Sequence, residues 1–185
     1  MSEPAPEEFT TARYLMILAV CVLPTLLGMA LYWLIGRRES LSPSAFTKLI
    51  AWVVAVVHLL MLVVVASLCI WGILSGTSAV MLYALTTLIV AALQGTAALF
   101  MMLRSRPRLL LGWSLGGLVG MAVALVIVGF GVYATFSVHA GALVLLLSAL
   151  LLPVVFSLGP LLMAPFVWLW VRQVHKRQAQ AAGSM

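Results

Sequence analysis

Five uninterrupted apolar segments, at roughly 14–36, 49–74, 79–103, 109–136 and 142–171, divide this chain of 185 residues. Each exceeds the ~20 residues that a helix needs to cross the hydrocarbon core of a bilayer. In lipid every backbone polar group must be bonded within the protein, which only helices and closed barrels achieve. Long runs without alternation select the helix. The sequence therefore predicts an all-α integral membrane protein, a single five-helix transmembrane domain over 14–172. An acidic tail at 1–13 precedes it, and a basic, then disordered tail at 173–185 follows. With 65% hydrophobic and 8% charged residues, little is left over for a water-soluble domain.

The placement of charge predicts an orientation. Arg37, Arg38 and Lys48 follow the first segment, Arg104, Arg106 and Arg108 the third, and Arg172, Lys176 and Arg177 the fifth. The connections Ser75–Ser78 and Ser137–Gly141 carry no Lys or Arg. Five spans thus put nine of ten basic residues on one side, leaving Arg13 beside Glu3, Glu7 and Glu8. An excess of Lys and Arg marks the cytoplasmic face, so the N-terminus is expected outside and the C-terminus inside a bacterial-type inner membrane. The acidic N-terminus and the length of its apolar run do not fit a signal peptide. Aromatic residues fit the same boundaries: Tyr14, Trp71, Tyr83 and Tyr133 near the outer ends, Tyr32, Trp33, Trp52, Trp113, Trp168 and Trp170 near the inner ones. A net charge of +6 would suggest nucleic acid in a soluble protein. Here it predicts anionic lipids on the cytoplasmic face, and no nucleic acid. The turn Arg104-Ser105-Arg106-Pro107-Arg108 is the expected headgroup site, at ~1 kcal/mol per charge.

Inside the fourth segment, Gly112, Gly116, Gly120 and Ala124 recur every fourth residue, as in a glycine zipper. At 3.6 residues per turn this draws a shallow groove down one helix face. Packing, not water expulsion, holds membrane helices together, so a face without side chains invites another backbone. That backbone belongs either to this chain or to another subunit. The second and third segments carry matching stripes of mostly small or polar residues: Ala51, Ala55, His58, Leu62, Ala66 and Cys69 against Ala84, Thr87, Ala91, Gln94 and Ala98. Folded as a hairpin, they set Ala55 near Ala98 and His58 level with Gln94 and Gly95. The groove of the fourth segment passes at the same depth.

His58 alone is ionisable in mid-span, and such a group is a functional hypothesis by default. The structural reading has its ring bonded to Gln94 across the hairpin. The alternatives are a proton relay or ligation of haem, for which a second intramembrane histidine is lacking. Cys21 and Cys69 read as small apolar side chains, and no metal site is expected. The fifth segment holds Pro153, Pro160 and Pro165 with Ser157 and Gly159, so it is either bent or locally unwound. No Asp or Glu lies in a span, and no nucleophile set, H-E-x-x-H or phosphate loop occurs, so no enzyme is expected. The expected function is that of a structural, accessory or assembly subunit of a larger membrane complex, with other membrane subunits or further copies of itself as partners. The alternatives are a small transporter or channel subunit, or a redox anchor binding haem or quinone through His58.

Overall fold

The structure, a computed structural model, describes residues 6–37, 43–75, 78–137 and 141–183. They form five helices: α1 (Pro6–Arg37), α2 (Ala45–Ser75), α3 (Ser78–Leu103), α4 (Pro107–Ser137) and α5 (Gly141–Gly183). No strand occurs among the described residues. All five helices are long and apolar enough to cross a membrane, which makes this a multi-pass membrane protein. The expected positions of Ser2, Arg38 and His139, and the centres of the α2–α3 and α4–α5 connections, lie outside the described residues.

The helices overrun the apolar segments at both termini. α1 begins at Pro6, and α5 continues through 173–183, where the sequence predicts a disordered tail. The extension Gln173-Val174-His175-Lys176-Arg177-Gln178-Ala179-Gln180-Ala181-Ala182 is rich in Gln, Lys, Arg and Ala, which are good helix formers with no interior glycine to stop them. α5 is also continuous through its three prolines, so the unwound alternative at Ser157-Leu158-Gly159-Pro160 is corrected to helix. A carbonyl that loses its helical donor to proline keeps the helix only if a neighbour re-satisfies it, and α5 has such a neighbour.

α4 and α5 form the most extensive pair, α2 packs on α3 and α4, and α1 packs mainly on α5. The glycine face of α4 makes the first of these contacts. A Cβ on Gly116 would lie 2.7 Å from the Gly159 carbonyl oxygen and 2.7 Å from the Pro160 Cα. One on Gly120 would lie 3.1 Å from the Phe156 carbonyl oxygen, and one on Gly112 would strike Val167. Gly159 answers from α5, where an added Cβ would overlap the Gly116 carbonyl. The groove thus receives a helix of this same chain.

The hairpin register agrees with expectation: Ala51, Ala55, Ala97 and Ala98 share one core cluster, and Leu62 reaches within 3.5 Å of where a Gly95 Cβ would stand. The aromatic girdle needs one correction. Trp33, Trp52 and Trp71 are about half exposed or more, as interfacial rings should be, whereas Tyr32 and Trp113 are wholly buried. Those two rings meet edge to face, with centroids 5.1 Å apart at 87°. Gly28 of α1 makes room for the edge of Trp113, 3.3 Å from where its Cβ would be.

Candidate functional site

Two places gather the polar groups of the bundle. The first is its centre, where α2, α3, α4 and α5 meet. Pro160 has no N–H, so the carbonyl of Phe156, four residues earlier, lacks its helical donor. The Gln94 side chain supplies one from α3, its Nε2 donating to the Phe156 oxygen at 2.9 Å in a buried site. The Trp113 indole in turn donates to the Gln94 backbone carbonyl at 3.1 Å. One amide side chain therefore ties α3 to α5, and its own backbone ties α3 to α4.

His58 lies beside this knot with none of its surface exposed. Its ring rests on Gly117 of α4, where a Cβ would overlap Nε2 and come within 2.6 Å of Cε1. Gln94 is the polar neighbour of the imidazole. Yet the expected bond between them is not made in ordinary geometry: both ring nitrogens and the Gln94 Oε1 lack a hydrogen-bond partner. The Gln94 NH₂ group donates instead to the Phe156 carbonyl. The α4 backbone at Gly117 covers the Nε2 edge of the ring.

The second place is the end of the bundle that collects the cations. Lys48 at the start of α2 lines a small cavity together with Ser105 and Arg106. Arg172 of α5 lines another with Ile35 at the end of α1. A third and larger one, of about 570 Å³, opens between α1 and α3. Arg37, Arg104 and Arg106 surround it, with Trp33, Phe100 and Leu109 among its walls. The Arg37 guanidinium lies over the Trp33 ring at 3.6 Å, and that of Arg104 over Phe100 at 4.6 Å. Stacking on a ring face leaves the in-plane N–H donors free.

The backbone of the α3–α4 turn holds two of these arginines in place. Arg106 N donates to Met101 O at 3.1 Å and Ser105 N to Met102 O at 3.0 Å, the paired bonds of a Schellman stop. Ser105 takes the left-handed position with φ 50°, unusual for a residue with a Cβ. Leu110 N then donates to Arg106 O at 2.9 Å, and Pro107 occupies the first turn of α4. Arg106 thus closes α3 and opens α4 with no residue to spare. Its Nη1 is buried without a partner, 3.3 Å from where a Gly36 Cβ would be.

The three arginines expected at the headgroups do not share one place. Arg104 and Arg106 line the cavity, Arg37 joins them, and Arg108 is buried in the first turn of α4, outside the lining. One step of ~100° around a helix separates successive residues, enough to turn alternate positions of one basic turn to different faces. Arg37 was legible as a cation but not as a member of this group, because only folding brings the end of α1 to the α3–α4 turn. The packing roles of Gly117 and Gly28 were missed, and Gly159 was singled out only as part of a possible break in the fifth segment. None of them belongs to the four-residue stripe, and each is explained only by the ring or carbonyl lying on it.

Among the described residues no three His, Cys, Asp or Glu side chains converge as metal ligands would. No family model, curated protein or solved structure matches the chain.

Proposed function

We propose that the protein is a non-enzymatic, helix-packing subunit of a larger assembly in a bacterial-type cytoplasmic membrane. The observation that supports this is the use made of its central polar groups. Gln94, the Phe156 carbonyl and the Trp113 indole are engaged with one another as ties between helices, beside a glycine face in backbone contact with α5. Such a centre holds helices in register. In this reading the collected cations face the cytoplasm, and the N-terminus lies outside.

Extraction of native membranes in mild detergent tests the assembly, with expected co-migration of the protein with further membrane subunits or copies of itself. Migration as a bare monomer at every detergent strength overturns it. A single cysteine at Lys176, with Cys21 and Cys69 replaced, tests orientation: an impermeant reagent applied to intact cells should leave it unlabelled.

The unpartnered imidazole favours a second reading, a proton-relaying transporter subunit. Glutamine hydrogen-bonds but does not exchange a proton near neutrality. Normal assembly with lost proton-coupled uptake in His58→Gln would favour the relay over the packing subunit.

A further inference from the structure

The cleft of about 570 Å³ between α1 and α3 combines cations with apolar walls, as a site for a single lipid would. We propose that the cleft between α1 and α3 binds one anionic glycerophospholipid. The phosphate sits among Arg37, Arg104 and Arg106, and an acyl chain lies along the cleft below.

Three observations support this beyond the general attraction of cations to a membrane surface. The cations converge on one cavity, and one of them, Arg106, holds a buried Nη1 with no partner. A guanidinium in that position lacks an acceptor, and a phosphate oxygen is the acceptor it suits best. Among the described residues no carboxylate lines the cleft. Of the chain's four acids, Glu3, Glu7 and Glu8 belong to the N-terminal segment, and Glu39 lies outside the described residues.

The walls select an amphiphile over a free phosphate. Met29 on α1 and Thr96 on α3 both line the cavity, each eight residues before its arginine. Eight residues of helix carry the cleft about 12 Å down from the guanidiniums. Most of that length is walled by apolar side chains such as Met29, Met101 and Leu109. Trp33 and Phe100 remain 53% and 49% exposed, so the rim opens sideways to the surrounding lipid. A chain enters from that side while its phosphate stays at headgroup level.

Gly36 has a part in the site. An alanine there would place its Cβ 2.8 Å from Leu109 and 3.3 Å from Arg106 Nη1. Glycine lets the end of α1 approach the arginine closely enough for both helices to share one phosphate.

Native mass spectrometry of the detergent-solubilised protein, titrated with phosphatidylglycerol, phosphatidylcholine or inorganic phosphate, is the test. One phosphatidylglycerol should be retained at least tenfold more tightly than phosphatidylcholine. Excess inorganic phosphate should not displace it. Arg106→Gln and Arg37→Gln should each weaken retention about fivefold, the equivalent of the ~1 kcal/mol that one cation contributes beside an anionic headgroup. Lys176→Gln removes the same charge from the same end outside the cleft and should leave retention unchanged. Equal binding of the two lipids by the unaltered protein overturns the proposal, and that comparison needs no variant to fold. An equal loss in Lys176→Gln reduces the effect to surface charge and overturns it too. Displacement by inorganic phosphate assigns a phosphate site instead. Because none of these readouts depends on assembly, failure here leaves the subunit reading standing, and the reverse holds as well.

Discussion

At the scale of single residues, the bond between Gln94 and Phe156 converts a defect into a tie. Proline removes a donor from α5, and a side chain of α3 restores it. Gln94→Leu should cost about 1–2 kcal/mol, because it strands a buried carbonyl. In a Pro160→Ala background residue 160 regains its N–H, so the same replacement should cost clearly less. Thermal unfolding of the four proteins in detergent measures that coupling, and additive losses would show that proline and glutamine act independently. The partner of Gln94 was not legible in the sequence because it is a backbone atom. Only its position relative to proline marks it, four residues upstream at matching depth. Ser105 makes a second local case. A side chain in the left-handed region costs about 1–2 kcal/mol that glycine avoids. Ser105→Gly should therefore raise the unfolding temperature, and Ser105→Val should lower it.

At the scale of elements, the contact between α4 and α5 shows why small residues must be argued from what lies on them. Gly116 and Gly129 are glycines of one helix, but a Cβ at Gly116 meets backbone at 2.7 Å and one at Gly129 meets nothing within 4 Å. Gly116→Ala should destabilise the fold by about 1–3 kcal/mol, the range for overpacking a filled contact. Gly129→Ala should be neutral or slightly stabilising, as helix propensity favours alanine. Equal behaviour of the two variants in detergent unfolding would remove the contact as an explanation. The sequence made the helices legible because hydropathy is a property of the segment itself. It made the groove legible for the same reason. What fills a groove depends on another element, which no local pattern encodes, and here the occupant is Gly159-Pro160 of the same chain. The α3–α4 joint adds a condition of its own. One extra residue between Ser105 and Arg106 would break the paired bonds by which these two residues close α3, and with them the fixed approach of α4. A protein carrying such an insertion should unfold at a much lower temperature than one lengthened within 38–42, the connection between α1 and α2.

For the whole molecule, the placement of α5 at the junction of α1 and α4 bears on how the protein is made. Chains emerge from the ribosome in order, and α5 follows the other four described helices. Until it arrives, α2 and α3 have each other, but α1 lacks its main neighbour and the glycine face of α4 lies open. Four inserted helices are therefore an unfinished object with an uncovered groove at the centre of the membrane. Such an open state should be more susceptible to membrane proteases than the closed bundle. A chain stopped after Ser137 should be degraded far faster than the whole protein, and supplying α5 as a separate polypeptide should lengthen its lifetime. Pulse-chase labelling in cells reads both effects. α5 thus separates bundles whose central groove is covered from those in which it lies open.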